Sequence, residues 1–274
     1  MSALNDFEFK RRKYMPIFPR AGGKPTIYIE GYPSEDDEPM AATWFHGEQI
    51  VTFSDQLKRY FEDNPLVFIG VDTFVYYREG DVTKFVAPDI YIVFGVDKFP
   101  GRRSFYTWAE GAVPAVVFEF LSDSTAAHDR GEKVKQYLVD IGVQEYFIHQ
   151  PEGDKPPEFR GWRRGPGSEI EEITPENQGG LFSHALNFWL RGTKDPTTHV
   201  RLLRPYLPDG TPITTSYEEA QLRVEAEALA QEESDRRHEA EALLQEETQH
   251  RQQLEAELER LRAQLAASQD KTLT

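Results

Sequence analysis

Ala87-Pro88-Asp89-Ile90-Tyr91-Ile92-Val93 and Val116-Val117-Phe118-Glu119-Phe120-Leu121 are two runs of β-branched and aromatic residues, each carrying one carboxylate. Runs this apolar predict interior strands of a sheet. An acid is out of place there, because a buried carboxylate persists only if it is paired, protonated or bound to a cation. Asp89 also reads as a strand-start turn residue after Pro88, and Glu119 as one half of a buried ion pair. Taken together, two acids near the ends of adjacent core strands predict a hard-metal site, and Mg2+ or Mn2+ suits oxygen ligands best. Such an ion polarises a phosphodiester oxygen and stabilises charge developing on phosphate, so phosphodiester hydrolysis is the chemistry the pair implies.

Outward from this pair, the apolar residues Phe45, Ile50, Phe53, Leu57, Tyr60 and Phe61 predict a helix over Thr43–Glu62, with Asp63-Asn64-Pro65 as its stop. Leu66–Tyr77 reads as a bent strand or hairpin, followed by strands over Asp89–Val96 and Ala115–Leu121. Asp129–Ile141 is amphipathic and ends at Gly142, and Glu145–His149 returns as a strand. The core order is α-β-β-β-α-β. Phe159–Arg164, Ile170–Ile173, Leu181-Phe182 and Val200–Leu203 read as peripheral strands and Asn187–Leu190 as an apolar turn, closing the domain near Thr215.

A cation beside the attacking water usually sits two residues after the second acid, on the same strand face. That position is Leu121. Lys133 fills the gap from the following helix: it shares a face with Tyr137 at i, i+4, whereas Lys135 points roughly 200° away. Its alternative reading is an ordinary solvated helix residue. His46 and Glu48 on the first helix are candidates for an extra ligand or base, His46 being preferred. Ser122, Ser124, Thr125 and Asp129 read as turn formers and helix caps, Asp129 being the first candidate for an exception. Tyr137 and Tyr146 read as core aromatics.

These blocks, together with Phe118-Glu119-Phe120-Leu121-Ser122, Asp129-Arg130-Gly131-Glu132-Lys133 and Gly142-Val143-Gln144-Glu145-Tyr146-Phe147, resemble the signature of the Uma2 (DUF820) family. The likeness extends from Pro39-Met40-Ala41 and His46 through Tyr76-Tyr77-Arg78-Glu79-Gly80 to about residue 203. That family comprises restriction-type endonucleases whose fold resembles the PD-(D/E)XK nuclease core. The resemblance implies an α+β fold, a mixed sheet flanked by helices, with Asp89 and Glu119 as metal ligands and Lys133 as catalytic lysine. It also implies DNA as substrate. Two departures stand out: Ala42 replaces a frequent acidic residue, and His149-Gln150-Pro151 replaces a frequent Asp-Pro.

Tyr217–Leu265 contains neither Gly nor Pro and is dominated by strong helix formers. Glu225-Ala226-Glu227-Ala228-Leu229 recurs at Glu239-Ala240-Glu241-Ala242-Leu243, and Leu254, Leu258, Leu261 and Leu265 keep a 4-3-4 spacing. A coiled coil and a homodimer are the expectation, although Arg236 and His250 interrupt the ladder through Leu222, Leu229 and Leu243. A lone charged helix is the alternative. The expected organisation is an N-terminal arm (1–38), a nuclease-like domain (39–215), the helix (216–268) and a tail (269–274).

Of 274 residues none is cysteine, which excludes disulfides, thiolate zinc sites and cysteine nucleophiles and fits a reducing cytosol. No run approaches the roughly 18 apolar residues of a membrane span, so a soluble, cytoplasmic protein is expected. The absence of HExxH, GxSxG and P-loop motifs excludes zinc proteases, α/β-hydrolases and P-loop ATPases. The net charge of −16 repels nucleic acid at long range, but 14 acidic and 6 basic residues between 217 and 268 hold half of that excess. Two functions compete: a metal-dependent endonuclease acting on DNA, and an inactive nuclease-fold assembly module that dimerises through its helix.

Overall fold

The chain is described from a computed structural model over residues 3–34, 43–123, 126–176, 179–195 and 198–270. The acidic run Glu35–Glu38, Pro39-Met40-Ala41, Ala42, Ser124 and Thr125 lie outside the described residues. Elements begin with α1 (Ala3–Tyr14), α2 (Trp44–Tyr60), β1 (Val67–Val71), β2 (Phe74–Tyr76), β3 (Phe85–Val86), β4 (Ile90–Phe94), β5 (Ser104–Tyr106) and α3 (Thr107–Glu110). They continue with β6 (Val116–Phe120), α4 (Ala126–Arg130), α5 (Glu132–Lys135), a π-helical turn (Gln136–Ile141), β7 (Glu145–His149) and β8 (Phe159–Arg164). β9 (Ile170–Glu172), β10 (Leu181–Ser183), β11 (Phe188–Lys194), β12 (Arg201–Tyr206) and α6 (Ser216–Asp270) complete the chain.

The apolar runs form the centre of a six-stranded mixed sheet in the order β1-β4-β6-β7-β8-β9. β4 is antiparallel to β1 and β6, and β6 runs parallel to β7 across the α4–α5 crossover, which realises the expected α-β-β-β-α-β core. Side-chain alternation splits each strand between two cores. Ile90, Ile92, Phe118 and Phe120 pack toward Phe53, Leu57 and Tyr60 of α2. Tyr91, Val93, Val117 and Leu121 pack toward Val134, Tyr137, Leu138 and Ile141. Gly70 is required where β1 crosses Tyr91, since an added Cβ would stand 2.0 Å from the ring.

α2 is wedged between this sheet and the β10-β11-β12 sheet. Its buried amides secure it: Gln49 Oε1 accepts from Leu203 N at 2.6 Å, and Gln56 Nε2 donates to Ile213 O at 2.6 Å. Thr43 caps the helix from an extended conformation and accepts from His46 N at 3.4 Å, which fixes the first turn where His46 stands.

Three local readings differ from the structure. Leu66–Tyr77 is not one bent strand or hairpin, because β1 and β2 belong to different sheets. The single helix over Asp129–Ile141 is broken at Gly131, whose φ of −121° and ψ of −90° are non-helical, into α4, α5 and the π-helical turn. Asn187–Leu190 is no turn; it opens β11, with Phe188 and Leu190 wholly buried. A helix the sequence reading does not assign, α1, packs Phe7 into the core.

By contact density the chain divides into Met1–Glu219 and Ala220–Thr274. In the first unit, Glu218 at the start of α6 accepts from Arg204 at 2.6 Å, and Glu219 from Arg59. In the second, Leu222, Leu229, Leu243, Leu254, Leu258 and Leu261 are all exposed, and the side chain of Leu265 is outside those described.

Candidate functional site

Extending the β4–β6 register, in which Ile90 faces Phe118, brings Asp89 opposite Glu119 at one end of the sheet. Both side chains point to the α5 face by alternation. Asp89 Oδ2 accepts a hydrogen bond from Phe120 N at 2.6 Å, so the two strand ends are tied by the carboxylate itself. Asp89 Oδ1 lies 3.1 Å from His46 Nε2, which α2 delivers from its first turn. The His46 ring stands edge-on to Phe120, and its Nδ1 is buried without a hydrogen-bond partner.

Glu119 is 4 % exposed. Its Oε1 accepts from Lys133 Nζ at 2.8 Å and from Tyr137 OH at 2.6 Å, and Oε2 takes no hydrogen bond among the described residues. Lys133 and Tyr137 reach one oxygen because they are one helical turn apart, whereas Lys135 is exposed. Lys133 Nζ is also 2.7 Å from Asp129 Oδ1. Leu121, where the usual cation would stand, is fully buried among apolar side chains. The structure thus gathers His46, Asp89, Glu119 and Lys133 into one group, while Glu48 is half-buried and takes no part in these bonds.

Two members go beyond the expected site residues: Asp129, foreseen only as the exception among turn formers and caps, and the Tyr137 hydroxyl. Asp129 lies within α4, 1 % exposed, but its carboxylate caps no helix N–H among the described residues and Oδ2 is unpartnered. Tyr137 is a core aromatic as expected, yet its hydroxyl serves Glu119. The spacing Asp129, Lys133, Tyr137, four and four, was the available signal for both.

Three carboxylates here face one ammonium and one imidazole. Burial, with the charges of Asp89 and Asp129, lifts the Glu119 carboxyl from 4.5 to about 7 against the pull of Lys133. Burial disfavours the charged form of Lys133, but Glu119 and Asp129 outweigh it and hold the ammonium above its ordinary value. Burial likewise opposes a charged His46, and Asp89, helped by Glu119 and Asp72, raises it overall. Burial first, then Glu119, raises the Tyr137 hydroxyl well above its usual range.

The donors suit a hard divalent cation: oxygen atoms, an excess of negative charge, and Glu119 Oε2 uncommitted. Among the described residues no three His, Asp or Glu side chains form a ready-made cage.

Among solved structures, one similar chain is "a putative nuclease belonging to DUF820" from Anabaena variabilis ATCC 29413, with 17% identity and a TM-score of 0.37 over 54% of this chain and 76% of that chain. No curated protein matches the sequence. No helix among the described residues is long and apolar enough to cross a membrane. The sequence matches the Uma2 family, described as "Putative restriction endonuclease", over residues 28–191, a span that holds every member of the group above. With more than half of its 274 residues inside that match, the chain belongs to the Uma2 family.

Proposed function

We propose that the protein is a metal-dependent endonuclease that hydrolyses phosphodiester bonds in DNA. One observation carries this reading: two carboxylates from neighbouring strands, Asp89 and Glu119, face each other at the sheet end with a single lysine between Glu119 and a third acid. Family membership supports the hydrolase class. Asp89 and Glu119 would hold Mg2+ or Mn2+, which supplies a Lewis acid for the phosphate oxygens.

The remaining work falls to the chain's own groups. Lys133, kept charged by two carboxylates, presents its ammonium to the phosphate as negative charge builds there. Tyr137 and Lys133 pin Glu119 through Oε1 and leave Oε2 open toward the cation. His46 and the Phe120 N–H fix both oxygens of Asp89, so its carboxylate does not reorient when substrate arrives. The apolar stripe of α6 joins two copies, giving two centres for the two strands of a duplex.

Nicking of supercoiled plasmid DNA in the presence of Mg2+ or Mn2+ tests this. Asp89→Ala and Lys133→Met should each reduce cleavage by roughly two orders of magnitude or more. Wild-type cleavage no greater than that of Asp89→Ala would leave the inactive assembly module as the reading.

A further inference from the structure

The Asp129 carboxylate is wholly buried with one ionic partner, an unfavourable arrangement that nothing in the local fold explains. It caps no helix, since no backbone N–H reaches its carboxylate among the described residues. Its main chain is held separately: Tyr146 OH donates to Asp129 O at 3.1 Å, fixing the end of α4 against β7. The helix breaks at Gly131 between Asp129 and Lys133, so the spacing that joins them is set across two helical segments. The only polar contact of Asp129 with another side chain among those described is Lys133 Nζ at 2.7 Å, on an ammonium that also touches Glu119 at 2.8 Å.

We infer that Asp129 is the positioning residue for Lys133, clamping its ammonium against Glu119. A lysine carries four rotatable bonds, and a single carboxylate at the far end does not fix them. Two carboxylates held by different elements do. The consequence is a cation aimed before substrate binds, in place of one mounted directly on the strand at Leu121. In this role Asp129 acts through Lys133 alone. This inference rests on the role proposed for Lys133.

The test is a double-mutant cycle in the full-length protein, with Mn2+ and supercoiled plasmid DNA. Asp129→Asn keeps the shape and removes the charge; it should lower kcat roughly 10- to 100-fold with KM little changed. Added to Lys133→Met, it should cause no further loss. Equal fractional losses in both backgrounds, or a wild-type kcat in Asp129→Asn, overturn the inference. A second readout needs no activity: the rate of reductive methylation of Lys133, followed by peptide mass spectrometry in metal-free protein whose melting midpoint is recorded. Several-fold faster methylation in Asp129→Asn, with other lysines unchanged, supports the clamp; an unchanged Lys133 rate overturns it. If wild type cleaves no DNA, the endonuclease reading falls, and the methylation rates still decide whether Asp129 holds Lys133.

Discussion

Glu119 holds its proton more tightly than a free glutamate, 4.5 rising to about 7, because burial and two neighbouring acids outweigh Lys133. Between those values the folded protein binds a proton that the unfolded chain has released, so stability falls as pH rises through that window. Without added metal, wild type should lose up to about 3 kcal/mol from pH 5 to pH 8 relative to Glu119→Gln, which has no proton to give up. Urea unfolding of both proteins in chelator checks this, and parallel pH curves refute it. His46 offers a second titration: its burial favours the neutral ring and Asp89 reverses that balance. Asp89→Asn should therefore bring the imidazole below its ordinary value, as read from ring-proton NMR shifts against pH. The sequence exposes Asp89 and Glu119 because each breaks an apolar run, and it exposes Lys133 through helical phase. It hides the Tyr137 hydroxyl, since an aromatic on an apolar face reads as core whether or not its oxygen has a partner. Asp129 is hidden differently: a carboxylate near a helix start ordinarily caps it, and a spacing of four from Lys133 does not by itself distinguish a solvated pair from this buried one.

At the scale of elements, the strands around the site are readable because both faces are apolar, while α1 is not, because its key buried residue is charged. Arg11 is 2 % exposed. Its Nη1 donates to Tyr60 O at 3.1 Å and Arg59 O at 3.4 Å, satisfying carbonyls at the C-terminal end of α2, while Nη2 meets Glu8 and Asp63. No hydrophobic period signals such a contact. Glu8 and Asp63 are solvent-exposed and can rehydrate, so losing the ion pairs costs little. Losing the carbonyl contacts beneath α1 costs more. Arg11→Met should destabilise the protein by roughly 2 kcal/mol, seen as a lower urea midpoint with an unchanged slope. Because α2 carries His46, the same substitution should weaken the His46 contact to Asp89 only if α2 shifts as a body. An unchanged midpoint would mean that the Arg11 contacts contribute nothing measurable to holding α1 against α2.

At the scale of the whole chain, α6 spans 55 residues, about 80 Å at 1.5 Å per residue, and the leucine side chains described beyond Glu219 face solvent. Pairs such as Arg237–Glu233 at 3.1 Å support a helix by only about 0.3–0.5 kcal/mol each. Most helix stability comes from burying an apolar face, and in the proposed dimer a second copy would supply an identical stripe to the one through Leu254, Leu258 and Leu261. Arg236 and His250, both exposed, stand in the Leu222–Leu229–Leu243 ladder and limit how tightly its middle closes. Each copy brings 14 acidic and 6 basic residues between 217 and 268, so two helices repel as they pair. Salt screens that repulsion within about 10 Å at 0.1 M, whereas it weakens phosphate binding by competing for the same charges. The proposed dimerisation and the proposed DNA binding should then respond to salt in opposite directions. Between 50 and 500 mM NaCl, sedimentation equilibrium should show a tighter dimer while DNA binding weakens. The double variant Leu254→Glu, Leu261→Glu should be monomeric across that range. A wild-type protein that sediments as a monomer at every salt concentration would leave α6 as a single charged helix and remove the paired-centre geometry from the proposed cleavage of both strands.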